Sequence, residues 1–392
     1  MNKKNINQFG EIFESLKDDG LREKKFGQSL IIVENAIFSG EPFKGVIWSN
    51  IIFKNCDFFG MYEIAPKNSI NVKYEDCRFS GILSFGVTKS VRFIRCSWSG
   101  ASVMFAERGS TDTVFEACRF VGPSPDKNQQ GTIGSEGEIK YLRCYAKWFK
   151  WAGDAKLDIE DCECENVSIH TDSEANSGVN FLNAQISVKN SILRGSFQIR
   201  SANLQSLSIS DTNINNFDLS GSSIKGDVYL ERVQGGYVNA SAKSLGKLAM
   251  SQCQIFGRRR KFSFELGLAA ADEVLIDQCN FGSDLNLSVG LGAGGPLEND
   301  EWQNIAKNRS TVIRNSTFPI LDASWLESRH LRIENNTIES LDISNSRIGK
   351  LEVVDNRISL EVNLKNTQVE KSRIQPLAKG QAKLDGANIR LE

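Results

Sequence analysis

The residues best equipped for chemistry in this chain of 392 are nine cysteines, two histidines and a few clustered carboxylates. A thiol becomes a nucleophile or metal ligand once a nearby base, cation or metal favours its anion. Cys56, Cys77, Cys96, Cys118, Cys144 and Cys162 stand 21, 19, 22, 26 and 18 residues apart, and Cys164, Cys253 and Cys279 complete the set. Cys162 and Cys164 have a single residue between them, whereas zinc sites space such pairs by about two to four residues and need two further ligands. His170 and His330 lie at no such spacing, and 160 residues separate them. Asp158, Glu160 and Asp161 cluster, but they alternate with apolar residues through Glu165, as on the solvent face of a strand. There is no glycine-rich phosphate loop, no elbow around a serine, and no carboxylate set of the kind β-helical polysaccharide hydrolases display. These absences predict a protein that is not an enzyme, with no metal site and no cofactor.

Binding chemistry is better represented. Lys147-Trp148-Phe149-Lys150-Trp151 joins aromatic surface to positive charge, which suits an acidic protein patch, a sugar ring or a base. Arg258-Arg259-Arg260-Lys261 is a basic run suited to phosphates or an acidic partner. Both fall in stretches that interrupt a regular spacing, at about 145–156 and 257–272. Three further interruptions lie at about 121–138, 165–185 and 290–310. Those at 122–138, 145–156 and 257–263 begin at the same point of the repeating unit, so they are expected to leave one edge and form one recognition face.

The regular spacing must position all of these residues. Leu204, Ile209, Ile214, Leu219 and Ile224 recur every five residues, with Ala202, Leu207, Thr212, Phe217 and Ser222 two places before each. A period of five matches neither a helix at about 3.6 nor a long strand at 2. It matches a chain that runs a short rung, turns a corner and repeats, which is a solenoid. Ile333, Ile338, Ile343, Ile348, Val353 and Ile358 repeat the spacing. A longer unit, apolar-x-apolar-x-x-small-x-apolar, starts at Ile51 and puts each small residue some twenty residues after the last. Eight of the nine cysteines take the small slot and Cys164 the apolar slot beyond it, so all nine are expected inside as reduced, small hydrophobes.

At these residues the chain resembles the pentapeptide-repeat family, whose unit is a small residue, Asp or Asn, Leu, and two variable positions. Ala202-Asn203-Leu204, Phe217-Asp218-Leu219, Ala387-Asn388-Ile389 and Cys56-Asp57-Phe58 carry the resemblance. The early coils depart from it with Phe, Trp and Tyr in the apolar slot and with uneven lengths. The resemblance implies an all-β solenoid, a right-handed parallel β-helix, here of about fifteen coils at roughly 4.8 Å each. The expected organisation is a partly helical cap over 1–26 and a single β-helix over 27–392. Ile6, Phe9, Ile12, Phe13 and Leu16 would make one face of a capping helix that Gly20 ends.

Net charge is −1, so no global field favours nucleic acid, and none is expected as a partner. No stretch reaches about 18 consecutive apolar residues and no signal peptide is visible, which predicts no membrane association and a cytoplasmic location. The expected function is a scaffold or binding module for another macromolecule, most simply a protein. Alternatives are a DNA mimic that engages a type II topoisomerase, as some family members do, and a polysaccharide-binding or polysaccharide-cleaving β-helix with a glycan as ligand. An uncovered last coil near Leu391 suggests a homodimer formed through the C-terminal coil.

Overall fold

The computed structural model describes residues 4–5, 11–39, 47–59, 68–80, 83–99, 102–105, 109–121, 132–153, 155–170, 184–200, 202–242, 244–257, 262–266, 271–282, 284–286, 309–378 and 380–389. They form two compact units, Met1–Arg194 and Gly195–Glu392. Each unit is a parallel β-solenoid, and two short helices account for all the helix among the described residues.

In the first unit, Ile47–Lys54, Asn68–Glu75, Val87–Ile94, Thr111–Glu116 and Ile139–Leu142 stack in parallel register as one face. Short strands such as Asp57–Phe59, Arg78–Phe79, Ser97–Trp98 and Arg119–Phe120 stack as a second face. One residue turns the chain from the first face to the second: Asn55, Asp76, Arg95, Ala117, Arg143 and Asp161 all have φ between 50° and 54°. The left-handed conformation costs an L-residue roughly 1–2 kcal/mol. Each corner recovers it by donating its N–H to the next coil, as from Asn55 to the Glu75 carbonyl at 2.9 Å and from Arg95 to Glu116 at 2.8 Å. A backbone hydrogen bond contributes about 0.5–1.5 kcal/mol net, which offsets much of that cost.

The residue after each corner points inward, which explains the small slot. All nine cysteines are buried and free. Their thiols do more than fill space: Cys56 Sγ donates to the Val33 and Lys54 carbonyls at 3.4 and 3.3 Å, and Cys144 Sγ to Phe115 and Leu142 at 3.3 and 3.4 Å. The Cys144 amide in turn donates to Cys162 Sγ at 3.3 Å, and the Cys162 amide to Ser191 Oγ at 3.1 Å. The slot thus gives a side chain that can donate and accept ready partners, although Ala36 and Val233 fill it after the Asn35 and Arg232 corners by size alone. Burial pushes the thiols of Cys96, Cys144, Cys162 and Cys164 up, so they stay protonated.

Aromatic side chains fill the rest of the first interior. Phe53, Tyr74, Phe93 and Phe115 stack at 5.1, 4.7 and 4.6 Å between ring centroids. Opposite them Phe38, Phe58, Phe79, Trp98 and Phe120 stack at 4.6, 4.8, 4.9 and 4.5 Å. The two columns meet edge to face, as between Phe93 and Trp98 at 63°. Parallel rungs about 4.8 Å apart place equivalent rings at stacking distance. That is why the early coils accept bulky residues in the apolar slot.

The second unit uses the same corner with a different filling. Ile313, Ile333 and Val353 are buried in register, and so are Leu331 and Leu351. Its small slots hold a polar chain in which the amides of Cys279, Ser316 and Asn336 donate to Ser316 Oγ, Asn336 Oδ1 and Asn356 Oδ1, each at 2.9 Å.

The N-terminal segment departs from expectation at its boundary. Glu11–Lys17 is helical, and a second helix, Asp19–Phe26, runs through Gly20 instead of stopping there. Asp18 caps it by accepting from the Leu21 amide at 2.9 Å, which puts the aspartates at a helix start, where the dipole favours them. Leu16 is buried, and the Trp48 indole donates to its carbonyl at 3.3 Å. Ile6 and Phe9 lie outside the described residues.

The Tyr74 hydroxyl is buried with no hydrogen-bond partner among the described residues, and burial raises its pKa well above the usual phenol value. Tyr74→Phe should therefore stabilise the protein by about 1–3 kcal/mol, while Phe93→Ala should destabilise it by about 3–5 kcal/mol. Denaturant unfolding of the two variants checks both signs.

Candidate functional site

The aromatic and basic run at Lys147–Trp151 is a strand. Tyr145–Trp151 lies between Thr132–Ser135 on one side and Glu163–His170 on the other, all parallel. Ala146, Phe149 and Trp151 face inward and are buried, in register with Cys164, Val167 and Ile169. Phe149 continues the aromatic stack at 4.4 Å from Tyr141. The Trp151 indole donates to the Gly137 carbonyl at 2.9 Å, and its ring lies so close to Gly153 that a Cβ there would come within 2.5 Å. Phe149 and Trp151 are thus fixed in the core and cannot reach a partner.

Lys147, Trp148 and Lys150 remain on the outside. Trp148 is partly exposed and pairs through its backbone with Thr132 and Asn166. Lys150 places its ammonium 5.5 Å from the Trp148 ring centre, within reach of a cation–π contact. Lys147 sits 3.9 Å from Glu165, a loose pair. A half-covered indole with two lysines is held on a hydrogen-bonded strand, so the surface is preformed. The signal that distinguishes this strand from a loop was the spacing itself: Ala146-x-x-Phe149-x-Trp151 repeats Cys164-x-x-Val167-x-Ile169 one coil earlier.

The basic run Arg258–Lys261 lies outside the described residues, as do 122–131, 171–183, 267–270 and 287–308 within the other interruptions. The single edge expected to gather them is therefore not something the described residues address. Where the interruptions are described they contain strands, such as Thr132–Ser135 and Phe262–Glu265.

The second unit carries a surface feature that sequence reasoning missed. A groove of about 520 Å³ crosses three coils at one corner. Ser328, Ile348 and Val369 are in register and form its floor, while Glu327, Arg347 and Gln368 make one wall. Arg329, Gly349 and Glu370 line it as well. Gly349 packs so tightly that a Cβ would meet the Arg329 carbonyl at 2.7 Å. Next to the groove His330 Nε2 and Lys350 Nζ lie 2.7 and 3.1 Å from a Glu352 oxygen. Burial pushes the Glu352 carboxyl up, but the bonds from His330 and Lys350 outweigh it and hold the group below the usual carboxylate range. Among the described residues no group of three or more His, Cys, Asp or Glu side chains is placed to hold a metal ion.

The strand geometry separates two aromatic neighbours by function. Phe149→Ala should cost about 3–5 kcal/mol of stability, and Trp148→Ala should change it by no more than about 0.5 kcal/mol. Thermal unfolding of the two variants side by side measures the difference. Comparison with protein-family models, with curated proteins and with solved structures finds no match to this chain.

Proposed function

We propose that this protein is a non-catalytic β-solenoid of the pentapeptide-repeat type that serves as a binding module for another macromolecule, with a protein as the partner. The observation that carries this reading is the outward strip Lys147, Trp148 and Lys150 on an otherwise filled, strand-built body. Among the described residues the interiors are occupied by stacked rings, aliphatic side chains and buried cysteines, which leaves recognition to the surface. Aromatic and cationic groups held rigidly lose little entropy on binding and are common interface anchors. Nine free, buried thiols favour a reducing compartment, in keeping with a cytoplasmic location.

The outer carboxylates weigh against a DNA mimic. Asp57 is paired with Arg78, Asp76 with Arg95, Glu116 with Arg143, Glu163 with Arg194, and Asp277 with Arg314. Carboxylates neutralised in this way do not present the dense negative surface of a duplex. A homodimer is part of the same proposal.

The test is co-purification with the full-length protein, comparing wild type with a Trp148→Ala, Lys150→Ala double variant of equal thermal stability. At least tenfold weaker capture of one protein partner, with no difference on a glycan array, is expected. Equal capture by both proteins removes the strip from the interface, and loss of glycan binding alone would favour the polysaccharide reading. Sedimentation of the same samples as monomers at micromolar concentration would remove the homodimer.

A further inference from the structure

The groove of about 520 Å³ in the second unit is lined by charge that its surroundings leave unsatisfied. Glu327 and Arg329 flank buried Ser328 on the first coil, Arg347 precedes Ile348 on the second, and Glu370 follows Val369 on the third. Glu327 and Arg347 are register neighbours of opposite sign. The same arrangement gives Arg78 and Asp57, and Arg314 and Asp277, their ion pairs at 2.8 Å. Here no such pair forms. Among the described residues Glu327, Arg329, Arg347 and Glu370 make no ion pair, although both signs line one groove. His330 and Lys350 beside it are, by contrast, both engaged by Glu352. The backbone under the groove is held from coil to coil. The Arg347 amide donates to the Leu326 carbonyl at 2.9 Å, the Gln368 amide to Ser346 at 2.8 Å, and the Val369 amide to Asn388 Oδ1 at 2.7 Å.

The chemistry of these four groups selects a ligand that carries both signs. A guanidinium presents a fork of N–H donors that matches a carboxylate, and a carboxylate accepts from an ammonium. A ligand that is anionic throughout would meet Glu327 and Glu370, and one that is cationic throughout would meet Arg329 and Arg347. The arginines stand on the first and second coils and Glu370 on the third, so the two kinds of charge lie one to two coil steps apart, about 5–10 Å. A free amino acid, with both charges on one carbon, is too short for that separation. Two or three residues of extended chain, at about 3.3–3.6 Å each, span it. The groove volume lies within the roughly 300–1,000 Å³ of small-ligand sites, and a floor fixed in advance lowers the entropy lost on binding.

We propose that this groove binds a short peptide with free ends, two or three residues long, with its carboxylate on Arg329 and Arg347 and its ammonium on Glu370. The inference stands apart from the Trp148 strip and does not depend on the partner bound there.

The experiment is calorimetric titration of the full-length protein with trialanine, N-acetylated trialanine, C-terminally amidated trialanine and free alanine. Trialanine should bind, and blocking either end should weaken it at least about tenfold, the loss of one charge-assisted contact. Free alanine should bind at least about tenfold more weakly too. Arg347→Gln should weaken trialanine by a similar factor and leave the residual binding of the amidated peptide as it was. Glu370→Gln should weaken trialanine and leave that of the acetylated peptide unchanged, a reciprocal pattern that a merely structural role would not produce. Both side chains are exposed, so neither substitution threatens the fold. The proposal is overturned if trialanine gives neither heat nor an amide shift at Arg347 and Gly349 up to about 10 mM. Equal affinity for all three peptides, or for alanine and trialanine, overturns it as well, and so does trialanine binding that both substitutions leave intact.

Discussion

Everything in this fold depends on a one-residue corner whose amide must find a carbonyl in the next coil. The corner forces a left-handed backbone, a conformation most L-residues avoid, and the bond from its N–H to the next coil offsets that cost only if the coils align. Donation from Asn55 to Glu75, from Asp76 to Ile94 and from Arg95 to Glu116 meets that demand coil after coil. The next residue is then thrown inward against the carbonyls of the coil before, where a small side chain fits and one able to share hydrogen bonds finds partners. Cysteine, serine, threonine and asparagine all meet that requirement. Cys56, Cys118, Ser316 and Asn336 are four answers to one geometric question.

Once the coils align, like residues stack on like. In the first unit that register yields two columns of rings, and the near-parallel planes within each column follow from the rung spacing more than from any choice of partner. In the second unit the same register is filled with aliphatic side chains and an asparagine–serine chain. Outside, it sets opposite charges one above another, as with Arg78 on Asp57. Asn55 and Asn35, and Asn335 and Asn315, pair at 2.7 Å at the corner itself. One constraint on the backbone thus orders the core and much of the surface.

Much of this was legible in the sequence because the corner imposes a chemical signature at a steady interval. The cysteine spacing and the five-residue rhythm around Leu204 and Ile338 pointed to inward positions, and those positions are buried. What escaped was whatever depends on neighbours in space. Trp148 and Phe149 read alike as part of an aromatic insertion, yet strand alternation sends one out and one in. The thiols read as inert fillers, but their hydrogen bonds involve carbonyls some twenty residues away. Gly20 read as a helix stop, yet it lies inside a second helix that Asp18 caps. The groove around Gly349 arises only when coils are laid side by side.

The left-handed corners bear the central claim, and hydrogen exchange read residue by residue tests them most directly. Loop amides exchange quickly, whereas amides bonded from coil to coil exchange only when the coil opens. The amides of Asn55, Asp76, Arg95 and Ala117 should be protected as strongly as those of the flanking strand residues Phe53, Tyr74, Phe93 and Phe115. Rapid exchange at these corners beside slow exchange in the strands would contradict the account.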